Sequence, residues 1–356
     1  MIPTFNTTKY DRYYCALVTP YKPDSLEIDL EAFRKFVRYF TTDATFLKIK
    51  GALIANPEAA EMFYMTPEER AELTKIVIEE RPADMPIFGG AYGVRPDEVV
   101  ASALQAKSLG VDGIFVFPPA GTMEVSTSID GAQNPEVWTE HVRTIAEATQ
   151  LPLIPHPAHP RTAQWGGALP LESVKMLLEE IPSIVGYKMI YGSDSAHFRI
   201  ARYIRSLPRH VGILNAPHFC YHTALLCGLI DGMVQGAWNW NKEAMQDHIL
   251  AWEAGDMKSV KEIYVNRILP LWEYIYSNPS RLHIRYKVAT WVRGLIVHPF
   301  QRPPMPAPRQ EEAEAIYQII LKTGQSIISR SKFEATLRLK DQILTKGVPH
   351  LKPKHA

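Results

Sequence analysis

Eight short apolar runs recur along the first two thirds of the chain, and each is followed by a stretch whose apolar residues fall at helical spacing. The runs are Tyr14–Val18, Gly51–Ala55, Pro86–Ala91, Gly113–Phe117, Leu151–Ile154, Ile184–Ile190, Val211–Leu214 and Gly232–Ala237. Continuous runs of this length, rich in β-branched residues, read as parallel strands buried on both faces. The intervening helices announce themselves well. Asp29 caps a stretch from Leu30 to Thr42 with Phe33, Phe36, Val37 and Phe40 on one face. Thr66-Pro67-Glu68-Glu69 has a cap, a proline at the first helical position and a glutamate three residues after the cap. Further helices are expected over Asp97–Leu109, Pro135–Thr149, Pro170–Glu180, Ser193–Leu207 and Tyr221–Leu229. Strands alternating with helices imply a parallel sheet with helices outside it, and eight such units within about 230 residues favour closure into a (β/α)8 barrel over an open sheet.

From Lys242 onward the strand pattern stops. Helical stretches are expected over Glu243–Ala254, Met257–Tyr276 and Leu282–Leu295, and over Gln310–Lys322 after a proline-rich break. The expected organisation is a barrel over residues 1–241 with a short polar leader, a C-terminal helical domain over 242–330, and a basic tail over 331–356. Composition adds exclusions. A formal net charge of +1 gives no global field for nucleic acid, and no apolar run approaches the length of a membrane span. The start of the chain lacks the basic-then-apolar order of a signal peptide, so a cytoplasmic protein is expected. Cys15, Cys220 and Cys227 have neither CxxC spacing nor an even count, which points away from disulfides and thiolate metal sites.

In a barrel of this kind the active site is built at the carboxyl ends of the strands. Those ends supply Thr19, Glu58, Glu61, Tyr92, His156, Arg161, Lys188, His218, Trp238 and Asn239. Lys188 is the one lysine among them. An ammonium on a core strand is costly, so the amine finds a partner or gives up its proton, its pKa falling below the usual value of about 10.4. A neutral amine in a pocket is a nucleophile for carbonyl carbon, and His156, one strand away, is placed to move its protons. Arg161 is a cation for a substrate carboxylate; Trp238 and Asn239 read as pocket wall, and Glu61 as an acceptor tying down its own loop. His156 with His159, and His218 with His222, have spacings that suit a metal, but no acid or cysteine completes either set.

The order Thr19-Pro20-Tyr21, Glu61 before Thr66-Pro67-Glu68-Glu69-Arg70, Gly89-Gly90, Val185-Gly186-Tyr187-Lys188, and Gly232 seven residues before Asn239 resembles the dihydrodipicolinate synthase and N-acetylneuraminate lyase family over residues 14 to 325. The resemblance implies a (β/α)8 barrel with a C-terminal helical domain, a homo-oligomer (tetramer or dimer), and a Schiff base between Lys188 and a 2-oxo acid, typically pyruvate. It implies no metal or organic cofactor, since the protonated imine is itself the electron sink. Three departures stand out. The family's Gly-Thr-Thr-Gly-Glu loop, whose threonines hold the pyruvate carboxylate, reads Pro57-Glu58-Ala59-Ala60-Glu61; the relay tyrosine of the fifth strand falls on His156; and the tyrosine pair after the fourth strand falls on Pro119-Ala120. The expected activity is therefore a lysine-dependent lyase of aldolase or dehydratase type, acting on a small oxo acid or related carbonyl compound. The alternatives are a catalytically silent relative that binds a sugar acid or keto acid, and a metal-dependent enzyme on the same barrel.

Overall fold

The computed structural model of the chain describes residues 2–120, 130, 131, 133–162, 166–191, 194–216 and 218–349. By internal packing the chain divides into two compact units. One comprises Met1–Cys15, Lys50–Pro57 and Val77–Gln235, the other Ala16–Ile49, Glu58–Ile76 and Gly236–Ala356.

The first unit is the barrel. Its strands are β1 (Tyr13–Ala16), β2 (Gly51–Ala55), β3 (Ile87–Ala91), β4 (Gly113–Val116) and β5 (Leu153–Pro155), then, after a hairpin of β6 (Ala158–Thr162) and β7 (Gly166–Ala168), β8 (Gly186–Met189), β9 (Gly212–Asn215) and β10 (Gly232–Gln235). The sheet runs β5-β4-β3-β2-β1-β10-β9-β8. Its two edges meet where Leu153 N–H donates to the Ser183 carbonyl (2.9 Å) and Val185 N–H to that of Leu153 (3.0 Å). A parallel bridge between Leu153 and Ile184 marks the same closure, and this is the (β/α)8 barrel that the alternating pattern implied. Helices Pro96–Ser108, Pro135–Thr149, Leu171–Glu180 and Asp194–Ser206 pack each on the next outside the sheet.

At the amino ends of the strands one device occurs twice. Val111-Asp112-Gly113 and Ile230-Asp231-Gly232 each place an aspartate one residue before a strand. The Asp112 carboxylate accepts from Ile87 N–H (2.9 Å) and that of Asp231 from Ile213 N–H (2.8 Å), at the start of β3 and within β9. Arg81, just after the helix Pro67–Glu80, and Arg205, in the helix Asp194–Ser206, neutralise the two carboxylates. The glycine that follows is obligatory: a Cβ on Gly232 would lie 2.2 Å from the Arg12 carbonyl, and one on Gly113 2.6 Å from that of Pro152.

The hairpin β6–β7 is a finding the sequence did not suggest, because Pro157 and Pro160 read as loop residues. A two-stranded ribbon has free edges that tolerate a residue without an N–H.

The second unit is mostly helical. It contains Leu30–Thr41, the short helix Ala44–Lys48 capped by the Asp43 carboxylate, and Trp238–Glu253. The stretch read as one helix from Met257 to Tyr276 is three pieces, Met257–Ile263, a π-turn Tyr264–Ile268, and Leu269–Tyr276. Pro270 lacks the N–H that would continue the i to i−4 ladder, and the wider turn before it absorbs the mismatch. Beyond Lys322, helices Arg330–Arg338 and Lys340–Lys346 pack into this unit: Phe333 stacks on Trp291 (centroids 5.0 Å apart), and Ile343 joins Tyr21, Leu26 and Phe300 in a buried cluster. No helix among the described residues is long and apolar enough to cross a membrane.

Candidate active site

The register of the barrel decides which side chains share its interior. Side chains alternate along a strand, so Gly186 and Lys188 lie on one face of β8 and Tyr187 and Met189 on the other. A Cβ on Gly186 would meet Leu214 of β9 at 2.8 Å and Ile154 of β5 at 3.4 Å, two strands on opposite sides of β8. That face therefore looks into the barrel, and Lys188 sits on it one turn of the pleat nearer the carboxyl end. On the other face Tyr187 and Tyr191 are buried with their hydroxyls 2.9 Å apart.

His156 directly follows β5 and is 5% exposed. Its backbone is held by two hydrogen bonds: His156 N–H donates to the Val116 carbonyl of β4, and its own carbonyl accepts from Ala158 N–H, both at 2.8 Å. These aim the imidazole inward, where Nε2 lies 3.1 Å from Lys188 Nζ. Lys188 is half-buried and His156 buried, so the pair joins a water-reachable amine to a shielded base. One proton lies between two nitrogens in this contact. Either the ammonium donates to the imidazole lone pair, or the imidazole N–H donates to a neutral amine.

Two rings from β4 and its end complete the setting. Phe115 stacks on His156 with centroids 5.6 Å apart and planes 28° apart, and its face lies 5.5 Å from Lys188 Nζ. Phe117 meets both Phe115 (5.4 Å, 88°) and His156 (6.1 Å, 65°) edge to face. The absence of a side chain at Gly90 makes room, since a Cβ there would come within 2.9 Å of the Phe117 ring. Behind Phe117, His141 of the helix Pro135–Thr149 donates Nε2–H to the Phe117 carbonyl (3.0 Å). The carbonyl can only accept, so Nε2 is the protonated nitrogen, and burial lowers the His141 pKa to about 4 and keeps the ring neutral. Sequence reading missed these three residues. The signal was present in the alternation Phe115-x-Phe117, which places two rings on one face of β4 and its end.

Of the other expected site residues, Tyr92 lies in the first unit just after β3, its N–H donating to the Ser102 hydroxyl (3.3 Å); the rest lie in the second unit or have side chains outside the described residues. Thr19 is buried and its hydroxyl donates to the Ala60 carbonyl (2.8 Å). Glu58 opens the 3-10 turn Glu58–Ala60; it is half-buried and Ala59 is buried. Asn239 accepts from Val18 N–H (3.0 Å) and donates to the carbonyls of Ala16 and Gly236 (2.7 Å each), so the amide fixes the backbone that follows β1. Trp238 is buried edge to face against Phe46. Glu61 is a buried anchor: one oxygen accepts from Lys287 Nζ (2.5 Å), the other from the Tyr21 hydroxyl and Arg302 N–H (2.9 Å each). Lys287 is wholly buried, and desolvation brings its pKa down to about 8 despite the Glu61 charge. Arg161 lies on β6, but its side chain, like those of His159 and His218, falls outside the described residues.

Among the described residues, one group of three has metal-ligand types close together: Asp11, His210 and Asp231. All three precede strands, at the amino ends of the barrel, and both Asp231 oxygens are taken by Arg205 at 2.7 Å. This is an ion-pair network rather than a metal centre.

Comparison with known proteins agrees with the geometry. The dihydrodipicolinate synthetase family matches residues 9–323. The 4-hydroxy-tetrahydrodipicolinate synthase of Maridesulfovibrio salexigens is 25% identical over 311 residues, covering 86% of this chain and 96% of that protein. An uncharacterised DapA-like lyase of Thermofilum pendens is 25% identical over 312 residues, covering 87% and 96%. In fold, dihydrodipicolinate synthase from Aquifex aeolicus superposes with a TM-score of 0.73 at 19% identity, covering 89% of this chain and 99% of that one. A monomeric dihydrodipicolinate synthase variant superposes with a TM-score of 0.75 at 20% identity, covering 90% and 99%. With a parallel barrel, a lysine and histidine in contact inside it, and a match spanning nearly all its length, this chain belongs to the dihydrodipicolinate synthetase family, whose members are class I lyases of the aldolase type.

Proposed function

We propose that the protein is a Schiff-base lyase of aldolase or dehydratase type that acts on a small oxo acid or related carbonyl compound, with Lys188 as nucleophile and His156 as proton shuttle. The observation that carries this reading is the 3.1 Å contact between Lys188 Nζ and His156 Nε2. His156 takes a proton from the ammonium, and the freed amine attacks the substrate carbonyl. The imidazolium then protonates the hydroxyl of the carbinolamine, which leaves as water, and the iminium remains. The iminium accepts the electron pair of the C–C or C–H bond broken next to it, and His156 removes or returns the accompanying proton. Here the shuttle is an imidazole where the family uses a phenol, so the same group can act as acid and base near neutral pH.

The substrate follows from the loop Pro57-Glu58-Ala59-Ala60-Glu61, which offers neither hydroxyl that the resemblance assigns to the pyruvate carboxylate. If Glu58 points inward and is ionised, a substrate carboxylate about 4 Å away is opposed by roughly 4 kcal/mol at an effective dielectric of 20, about a thousandfold in affinity. The favoured carbonyl compound is thus not bound as pyruvate is in the family; Arg161 is the proposed partner for any carboxylate it has. The test is borohydride trapping across a carbonyl panel with peptide mapping. The reading expects an adduct on Lys188, weak trapping of pyruvate, and better pyruvate trapping when Glu58→Thr and Ala59→Thr are combined. An adduct on another lysine refutes the nucleophile, and efficient pyruvate trapping by the unaltered protein refutes the substrate argument. A homo-oligomer is also expected, to be checked by light scattering.

A further inference from the structure

One aromatic side chain faces both members of the Lys188–His156 pair, and the lyase reading gives it no role so far. Phe115 is 1% exposed, its ring stacked on the imidazole and 5.5 Å from the amine. Its position is over-determined. Phe115 pairs in register with Gly90 of β3 and Ile154 of β5, the Phe117 ring braces it edge-on, and the Phe117 carbonyl is held from behind by His141. A ring fixed this firmly presents a permanent π face to whatever occupies the amine position. That face attracts a cation and is indifferent to a neutral amine.

We propose that Phe115 is a positioning residue for the lyase reaction: its ring holds the His156 imidazole with Nε2 toward Lys188, and its face stabilises the cationic forms of the Lys188 nitrogen, the ammonium and above all the iminium. The proposal rests on the Schiff-base reading and extends it. Each step that makes the iminium moves positive charge onto the nitrogen beside this face. Burial alone would disfavour that charge, and the ring offsets part of the penalty without adding an anion, which would bind the iminium but repel a substrate carboxylate. Stacking also restricts rotation of the imidazole, so that the proton is delivered along the 3.1 Å contact.

Two changes at one position separate shape from electrostatics. Phe115→Leu removes the π face and some volume, while a fluorinated phenylalanine placed at 115 keeps the shape and withdraws the negative charge of the face. With the carbonyl compound that the unaltered protein traps best, both variants should lower the Lys188 adduct formed at sub-saturating carbonyl, by between about twofold and thirtyfold. A second readout needs no substrate: reductive methylation of Lys188 by formaldehyde and cyanoborohydride, followed by peptide mass across pH. Its midpoint should move to lower pH in the fluorinated variant, because an ammonium that has lost its π partner gives up its proton more readily. If Phe115→Leu is impaired but the fluorinated ring behaves as phenylalanine in both assays, the ring only fills space and the proposal is overturned. If no carbonyl compound traps on the unaltered protein, the lyase reading fails; a methylation midpoint that still shifts retains the electrostatic role of Phe115, and an unmoved one removes it.

Discussion

The two ends of the barrel treat charge in opposite ways. At the amino ends two carboxylates are held by arginines and backbone donors: Asp231 by both arms of Arg205 and by Ile213 N–H, and Asp112 by Arg81 and Ile87 N–H. At the carboxyl ends the described setting of Lys188 is the face of Phe115, itself stacked on the His156 imidazole, and His156 Nε2 at 3.1 Å from the amine. Charges that are neutralised where they sit stabilise a fold, whereas an amine set against a π face and an imidazole is the seat of the proposed chemistry. The contrast matches what this architecture leads one to expect, with stability built at one end and the proposed reaction placed at the other.

The sharpest way to break the comparison is Lys188→Ala, which should abolish both the borohydride adduct and turnover while changing unfolding free energy by less than about 1 kcal/mol. Lys188→Arg keeps the charge without a usable nucleophile and should be equally inactive in both assays. His156→Phe should lower turnover about a hundredfold or more, with trapping at least partly retained; unchanged turnover would make the imidazole structural. The amino end should answer in the reverse sense. Asp231→Asn should destabilise the protein by about 1–3 kcal/mol in urea unfolding, by leaving Arg205 without its counter-charge, yet trap carbonyl compounds as the unaltered protein does.

The smallest effects are pH slopes of opposite sign. Burial holds the His141 pKa down at about 4 from 6.5, so between those values the unfolded chain binds a proton that the folded one does not. The stability present above pH 6.5 is therefore lost as the pH falls toward 4, by at most about 3 kcal/mol, and His141→Gln should remove that part of the acid sensitivity. Asp11 runs the other way. Burial and the nearby Asp231 charge raise its pKa from 3.8 to about 6 against the pull of His210 and Arg205, so the folded chain binds the extra proton. Its contribution is present below pH 3.8 and is lost as the pH rises through 6. Asp11→Asn should flatten this limb, which urea midpoints measured at pH 4.5 and pH 7 will show.

Much of this was legible in the chain. The apolar runs placed all eight barrel strands, because a strand buried on both faces must be apolar throughout, and the capping box at Thr66 and Glu69 forms with both of its hydrogen bonds, 3.2 and 3.0 Å. Lys188 and His156 were legible as strand-end residues, and the barrel brings them into contact. The hairpin β6–β7 and the π-turn at Tyr264–Ile268 were not, since a ribbon edge and a ladder interrupted by Pro270 depend on pairings that no local pattern records. Lys287 could not be matched to Glu61 either, since they stand 226 positions apart in the chain. By itself the sequence determined the alternation of elements and the closure they imply, because burial and capping are read locally along the chain. Only the tertiary structure decided which side chains meet: the register of β4, β5 and β8 puts Phe115, His156 and Lys188 together, and register is set by pairing between strands distant in sequence.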